Sequence, residues 1–217
     1  MNLKNCHNFE DFRKLAKKKL PSPIFHYIDG GSDDEVTLNR NTTSFNDYDL
    51  VPSVLNDVSN IDMSTTVLGE KIDFPLFPAA TAMHRLYHHQ GERASAKAAE
   101  KMGTIFGTST MGTVSVEEIA KVNKGPKLFQ LYIHKDRGLT DNLLERCKKS
   151  GFSSMCLTVD TVVAGNRERD RRTGFTTPPK LTLGSLLSFA LHPVWTINHL
   201  IHEKFRLANI IHMTEKG

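Results

Sequence analysis

Residues 157–172, LTVDTVVAGNRERDRR, place a carboxylate a few residues before a run of guanidinium groups. An apolar, strand-like stretch ends at Asp160, and four arginines then fall within six residues. The segment is either a solvated charge cluster or a site that holds an anion beside a carboxylate. An arginine binds a carboxylate through two parallel N–H bonds, which a lysine cannot match. The spacing therefore raises the hypothesis of an anion-binding site.

The elements that would position this segment precede it. Strand-like and helical stretches alternate four times in under 90 residues, with predicted strands DFPLFPAAT, TIFGTST, KLFQLYI and SSMCLTVD. Such alternation is typical of a parallel α/β sheet or barrel. A closed (β/α)8 barrel needs eight units and about 250 residues. The pattern thus predicts either a small four-stranded domain or the first half of a TIM barrel.

Polar or small residues lie at or near the carboxyl end of each predicted strand: Ala80, Thr81 and Ala82, then Ser109, then Gln130 and Tyr132, and finally Thr158 and Asp160. The carboxyl ends of parallel strands meet at the edge where α/β folds bind ligands. Uncharged hydroxyl and amide groups suit hydrogen bonding to a heteroaromatic ring. At any single position, the alternative is that Ser or Thr only caps the following helix.

The flanking regions look helical. Asn8 is predicted to cap a helix through FEDFRKLAKKKL, a second helix covers IFHYID, and Ser32 opens a third. Residues 45–72 look irregular, with short extended pieces. We therefore divide one domain into a helical extension (1–72), four βα units (73–160), and a loop with apolar helices (161–217).

The stretch 181–201 contains no Asp, Glu, Lys or Arg. Its length permits a membrane span, but its polar residues and the central Pro193 oppose one. A helical pair broken at Pro193 is the better prediction. It either packs on the domain or rests on a membrane surface.

Composition excludes several functions. The net charge of +4 is modest, and acids interrupt the arginines of RERDRR, so we expect no nucleic-acid binding. The three cysteines form no CxxC pair, which fits a reducing compartment and a cytoplasmic location. No metal site is expected, because the histidines of HRLYHHQGE lack partners at ligand spacing and are interpreted as exposed loop residues. GTSTMGTV lacks the lysine of a P-loop, and no GxGxxG follows a strand.

Several motifs, in order, resemble the FMN-dependent α-hydroxy-acid dehydrogenases and oxidases. They are FHYIDGGSDDEVTLNRN, PAATAM, FQLYIHKDRG and LTVDTVVAGNRERD. YIDGG with TLNRN, KDRG with LLER, and HPVW favour the bacterial quinone-linked L-lactate dehydrogenases within this family. The resemblance covers nearly the whole chain. It implies a TIM barrel, FMN as cofactor, and oxidation of an L-2-hydroxy acid, with L-lactate as the expected substrate.

The resemblance also assigns roles to individual residues. It implies that the flavin contacts Ala80, Thr81, Ala82, Ser109, Gln130 and Thr158. It implies that the substrate is bound by Tyr27, Tyr132 and Arg167. Asp160 matches the carboxylate that orients a catalytic histidine, and Tyr132 matches a catalytic hydroxyl. Arg169, Arg171 and Arg172 are expected to be surface or loop-anchoring charges.

The sequence also departs from the family pattern. The S-N-H-G-G-R motif with the catalytic histidine is absent, and Asn198-His199 precedes leucine and isoleucine instead of glycines. The flavin-proximal lysine and the phosphate-binding glycine-arginine site are also missing. Ala80 and Val162 stand where the family often has proline. We therefore expect about half of a barrel, not catalytically competent alone.

Alternative functions remain open on these residues. The chain is an oxidase or dehydrogenase of lactate, a glycolate-type oxidase, or a non-catalytic remnant that serves as an assembly partner. The acceptor is a quinone or another oxidant, and quinone is favoured if 181–201 contacts the inner face of the cell membrane. The full-length protein is expected to be a homo-oligomer.

Overall fold

A computed structural model describes residues 2–160, 162–176 and 180–210. The chain divides into two compact units. The helical unit comprises Met1–Asn56 and Val163–His202, and the α/β unit comprises Asp57–Val162 and Glu203–Gly217. The domain boundaries expected from the sequence remain a proposal.

Within its described residues, the helical unit holds six α-helices: α1 (Phe9–Lys19), α2 (Ser22–Asp29), α3 (Val36–Thr43), α7 (Glu168–Thr173), α8 (Leu183–Ala190) and α9 (Pro193–Ile201). The side chain of Asn8 caps α1 by accepting the N–H of Asp11 at 2.9 Å, as predicted. Arg13 joins α1 to α2, because its guanidinium donates to both carboxylate oxygens of Asp29 at 2.5 and 3.0 Å. Ser22 N–H donates to Ser188 Oγ and ties α2 to α8.

The α/β unit begins with a short antiparallel hairpin, β1 (Thr65–Val67) and β2 (Glu70–Ile72). Its sheet has three parallel strands in sequence order, β3 (Phe106–Ser109), β4 (Lys127–Leu131) and β5 (Ser154–Leu157). The intervening helices are α4 (Glu92–Lys101), α5 (Val116–Val122) and α6 (Arg137–Lys149). The predicted fold class, α/β of the TIM barrel family, is confirmed by this parallel alternation and by the structural relatives described below.

Apolar residues from the helices cover one face of this sheet. One buried cluster contains Ala96, Ala99, Phe106, Val114 and Ile119. A second contains Val116, Phe129, Leu131, Leu143 and Cys147. Every residue of β3 and β4 is buried, which fits a central parallel sheet, whereas Met155 and Leu157 of β5 remain exposed.

The strand predicted at DFPLFPAAT does not form, and only an isolated parallel bridge joins Thr81 to Thr108. Pro75 and Pro78 have no N–H to give to a strand ladder. The hydroxyl of Thr104 instead reaches two carbonyls of this segment, Phe74 O at 3.3 Å and Leu76 O at 2.7 Å. The prolines therefore favour an irregular run whose carbonyls are satisfied by a side chain.

The third helix was predicted to open at Ser32, but α3 begins only at Val36. Asp33 and Glu35 both adopt positive φ, at 48° and 58°. The carboxylate of Glu35 accepts the N–H of Gly31 at 3.0 Å and also pairs with Arg169. These bonds stabilise a turn in place of the first helical residues.

The uncharged stretch forms the predicted helical pair. Helix α8 ends at Ala190, and Pro193 opens α9 at a position where a missing N–H costs nothing. Trp195 stacks on His199 at 4.9 Å between ring centroids and contacts Phe189 at 5.5 Å. None of the helices in the described ranges is long and apolar enough to cross a membrane.

A buried asparagine fixes the chain after Glu203 to the α/β unit. Asn209, with an exposed fraction of 0%, accepts the N–H of Val116 at 3.1 Å and donates to the carbonyl of Ser109 at 3.2 Å. Arg146 donates to the carbonyl of Asn209, and Ala208 N–H donates to Gly112 O. Asn209 thereby links the end of β3 to the start of α5.

We expect Asn209→Ala to lower the free energy of unfolding by about 1–3 kcal/mol, because it leaves the buried N–H of Val116 unsatisfied, whereas Ser109 O keeps its bond from the N–H of Gly112. Chemical denaturation followed by circular dichroism measures this change. Asn142→Ala, at an exposed position of α6, is the control and should change stability by less than about 1 kcal/mol. Equal effects of both substitutions would contradict the assigned role.

Candidate functional site

A chain of hydrogen bonds crosses the carboxyl ends of the three parallel strands. Ser109 Oγ donates to Gln130 Oε1 at 2.8 Å, and Gln130 Nε2 donates to Thr158 Oγ1 at 2.5 Å. The N–H of Met111 donates to Ser109 Oγ at 3.1 Å. The structure thus brings together three of the residues predicted to contact the cofactor.

Strand pairing explains why these side chains meet. Ser109 lies opposite Gln130 in the β3–β4 register, and Thr158 N–H donates to Leu131 O just beyond β5. Side chains two residues apart on a strand lie on one face, which separates Gln130 from its apolar neighbours Phe129 and Leu131. The polar groups therefore lie at the carboxyl end of the sheet, and Phe129 and Leu131 pack into a buried apolar cluster on the opposite face.

The donors and acceptors in this series of hydrogen bonds leave some polar atoms of Gln130 and Thr158 without a partner among the described residues. Gln130 keeps one amide N–H and one lone pair on Oε1, and Thr158 keeps its hydroxyl proton. Two donors and an acceptor therefore remain close together. This set fits the edge of a heteroaromatic ring that carries alternating carbonyl and N–H groups.

The turn at residues 78–82 approaches the same sheet. A Cβ added at Gly107 would lie 2.8 Å from Ala80 N and 3.0 Å from Pro78 O, so only glycine allows this approach. Thr81 pairs with Thr108, and Met83 N–H donates to Met111 O at 3.3 Å. The turn is thus held beside β3, with Thr81 exposed and Ala80 and Ala82 partly exposed.

Tyr132 and Asp160 follow the ends of β4 and β5. Tyr132 is partly buried, and its N–H donates to Thr110 Oγ1 at 3.1 Å. Asp160 is exposed and forms no hydrogen bond within the described part of the chain. It is therefore accessible to a basic partner, and the role expected for it remains a prediction.

Tyr27 and Arg167 meet in the helical unit. The guanidinium of Arg167 lies 5.1 Å from the centroid of the Tyr27 ring and donates to the carbonyls of Tyr27 and Gly30. These carbonyls lie at the end of α2, where helical partners are lacking. Nε of Arg167 also donates to Asp170 at 2.5 Å. Three of the five guanidinium N–H groups are thus engaged, and two remain for a ligand.

The next arginine, Arg169, anchors the same region. It donates to Asp29 at 2.8 Å and to Glu35, as expected for a loop-anchoring charge. Hydrogen bonding from Arg13, with a further contribution from Arg169, holds the pKa of Asp29 below its usual range. Arg172 forms an exposed pair with Glu168 one helical turn away.

Sequence reasoning missed His84 and Glu92. His84 was interpreted as an exposed loop residue, but it is largely buried and its ring contacts Thr81 and Ser95. Glu92 is fully buried and accepts N–H and O–H bonds from Thr113 at 2.9 and 2.6 Å. The signal available was an acidic residue, Glu92, in the first turn of an alanine-rich helix that shortly follows the histidines.

A parallel α/β sheet with hydroxyl and amide groups at its carboxyl edge is an arrangement that α/β proteins, including TIM barrels, use to bind ligands. Residues 16–216 match the FMN-dependent dehydrogenase family, and the chain belongs to it. The predicted family and its cofactor, FMN, are thereby confirmed, as is the assignment to a family of hydroxy-acid oxidoreductases.

Named relatives span several hydroxy acids. Glycolate oxidase of Spinacia oleracea is 43% identical over 176 residues, covering 81% of this chain and 48% of the relative. L-lactate oxidase of Nostoc sp. is 45% identical over 187 residues, covering 84% and 51%. L-lactate dehydrogenase of Vibrio parahaemolyticus is 40% identical over 201 residues, covering 92% and 53%. The chain spans about half the length of these curated relatives.

Solved structures agree with this family. The crystal structure of the monotopic membrane protein (S)-mandelate dehydrogenase superposes with a TM-score of 0.86 at 34% identity. The match covers 94% of this chain and 55% of that protein. A lactate oxidase of Pediococcus acidilactici superposes with a TM-score of 0.76, also at 34% identity.

We expect Gly107→Ala to displace the 78–82 turn and to weaken FMN binding about tenfold or more, with a loss of about 1–3 kcal/mol in stability from overpacking. Fluorescence titration of FMN and thermal denaturation measure the two effects. Gly125→Ala is the control, because its added Cβ would meet only Asn123 Oδ1 at an ordinary 3.4 Å. Unchanged FMN affinity in Gly107→Ala would refute the proposed close approach.

Proposed function

We propose that this chain takes part in the FMN-dependent oxidation of an L-2-hydroxy acid, with L-lactate as the substrate and pyruvate as the product. The observation that carries the proposal is the Ser109–Gln130–Thr158 hydrogen-bond chain at the carboxyl edge of the sheet. When bound, FMN supplies the acceptor for the two electrons that leave the substrate carbon. The residues of this chain are proposed to bind the flavin and the substrate and to orient the base that removes the substrate proton.

The α/β unit is proposed to hold the flavin ring. The two donors and one acceptor left by Gln130 and Thr158 match the carbonyl and N–H groups of that ring. Ala80, Thr81 and Ala82 would contact the ring through a turn that Gly107 brings against β3. Ser109 fixes the amide orientation of Gln130, because its hydroxyl donates to Oε1.

The substrate carboxylate is proposed to bind the two free N–H groups of Arg167, with help from Tyr27. The bonds from Arg167 to Asp170 and to the α2 carbonyls fix the guanidinium in place before any ligand arrives. Such preorganisation lowers the entropic cost of binding. Tyr132 is proposed to hydrogen-bond the hydroxyl oxygen of the substrate.

Asp160 is proposed to orient a histidine base. A carboxylate beside an imidazole raises the proton affinity of the ring, which suits a base that removes the hydroxyl-side proton and becomes positively charged. The named relatives include enzymes of glycolate, lactate and mandelate. Glycolate is therefore the alternative substrate, and assembly into a homo-oligomer stays part of the proposal.

The 217-residue chain, incubated with FMN and passed through gel filtration, should retain the flavin. Gln130→Met should weaken FMN binding about 10- to 100-fold, because two or more hydrogen bonds are lost. Asn142→Ala, at an exposed helical position, is the matched control. L-lactate added anaerobically should perturb the absorption spectrum of bound flavin more than glycolate or (S)-mandelate does, without bleaching it, because the chain lacks the motif with the catalytic histidine. A wild-type chain that elutes without flavin would refute the proposed FMN site.

We also propose that helices α8 and α9 contact a lipid surface. Large apolar side chains remain exposed on both helices, among them Leu187 at 61% and Leu200 at 75%. Acidic and basic residues are absent from 181–201, while Lys180, Lys204 and Arg206 flank the stretch in sequence. Apolar helices with flanking cations suit an interface that contains anionic lipids. A relative described as a monotopic membrane protein supports the same proposal.

A membrane contact favours a quinone as the electron acceptor, because quinones dissolve in the lipid bilayer. The corresponding location is the inner face of the cell membrane, reached from the cytoplasm. An acceptor dissolved in water is the alternative.

The chain should sediment with phosphatidylcholine vesicles that contain phosphatidylglycerol. Leu187→Glu combined with Leu200→Glu should weaken this binding more than about tenfold, since each buried leucine contributes about 1.5–3 kcal/mol. Leu50→Glu with Leu55→Glu, at even more exposed positions outside the two helices, should leave it unchanged. Equal losses in the two double variants would argue against a role for α8 and α9.

A further inference from the structure

His84 lies directly behind the turn proposed to contact the flavin. Its Nε2 is 2.5 Å from Thr81 Oγ1, and its Nδ1 is 3.4 Å from Ser95 Oγ on α4. The main-chain N–H of His84 donates to the buried carboxylate of Glu92 at 3.2 Å. Both ring nitrogens and the backbone are thus held, so the imidazole has little freedom to turn.

The proton on the imidazole decides how the hydroxyl of Thr81 is used. If Nε2 carries no proton, it accepts the hydroxyl proton of Thr81, and Thr81 offers only lone pairs to a ligand. If Nε2 is protonated, it donates to Thr81 Oγ1, and the hydroxyl proton of Thr81 becomes available to a ligand. Because Thr81 is exposed, its second hydrogen-bonding position is open.

We propose that His84 is a positioning residue that sets whether Thr81 donates or accepts a hydrogen bond toward the flavin. The inference rests on the proposed function, since contact between Thr81 and FMN is part of that proposal. It adds the hydroxyl of Thr81 to the polar groups proposed to face the flavin. The hydrogen-bond direction of this hydroxyl would be set by His84, behind the turn.

The neutral imidazole is the form expected at neutral pH. Burial lowers the pKa of His84 from its ordinary value of 6.5, and the nearby carboxylate of Glu92 opposes this effect. Among the described neighbours, α4 contributes Glu92 and the uncharged Ser95, and the turn contributes the uncharged Thr81. Arg85, which follows His84, pairs its guanidinium with Glu203. We assign the proton of the neutral ring to Nδ1, which faces Ser95 Oγ, so that Nε2 accepts the hydroxyl proton of Thr81. The doubly protonated ring becomes populated as the pH falls below the ordinary value of 6.5, and Thr81 then becomes a donor toward a ligand.

The contact itself is tested without flavin, by nitrogen NMR of the chain labelled with ¹⁵N-histidine. His84→Gln assigns the resonances of the His84 ring. Thr81→Val should shift the Nε2 resonance, whereas Thr81→Ser keeps the hydroxyl and should restore the wild-type position. If the chemical shift of His84 Nε2 is the same in Thr81→Val as in the wild type, the inference is overturned.

The consequence for the cofactor is tested by titrating the absorption spectrum of bound FMN from about pH 5 to 8. The wild type should show a step below pH 6.5 that is lost in His84→Gln and Thr81→Val. Thr81→Ser and the exposed control His88→Gln should retain it. Across the step, the FMN dissociation constant should change about three- to tenfold relative to His84→Gln, as expected for one hydrogen bond.

The outcomes separate the two proposals. A wild-type chain that fails to retain FMN refutes the proposed function and with it the role of His84. If FMN is retained but its spectrum shows no such step, only the inference about His84 is overturned. The same holds if the step survives in His84→Gln.

Discussion

The pairing of β4 between β3 and β5 is the constraint on which the proposed cofactor-binding edge depends. The register sets Ser109 opposite Gln130 and brings Thr158 to the end of the next strand. A slip of one residue would exchange the faces of β4 and present Phe129 or Leu131 where Gln130 now stands. The apolar cluster that holds Phe129 and Leu131 opposes this slip, because the slip would place the amide of Gln130 among apolar side chains. Core packing and site chemistry therefore specify the same register.

The sequence of the arginine-rich segment allowed two interpretations, a structural charge cluster and an anion-binding site, and the structure contains features of both. Arg169 and Arg172 form ion pairs, as a structural charge cluster would. Arg167 also makes structural bonds, yet it retains two N–H groups in a guanidinium that its neighbours hold still. A side chain can thus complete the end of a helix and still be able to bind an anion.

The sequence predicted those elements whose signals are local. Helices α1, α5 and α6 have clear capping residues and apolar periodicity, and β3 to β5 appear as short apolar runs. It failed at residues 73–81, where an apolar run favoured a strand but two prolines removed the donors that a ladder needs. The contacts of Asn209 were also beyond prediction, because its partners Val116 and Ser109 are 93 and 100 residues away in the chain. His84 was missed because its burial depends on α4 and the preceding turn packing around it.

The absence of a ladder in the 73–80 segment has a consequence for amide hydrogen exchange. Amides of β3 and β4 are released only when the parallel sheet opens, so their exchange follows cooperative unfolding. The 73–80 segment is held mainly by the Thr104 hydroxyl and by one backbone bond from Asp73 N to Gly103 O. Its fluctuations need not separate any pair of strands. The segment that leads into the 78–82 turn can therefore fluctuate on a faster timescale than the sheet beside it, and small adjustments in this segment cost little elsewhere in the fold.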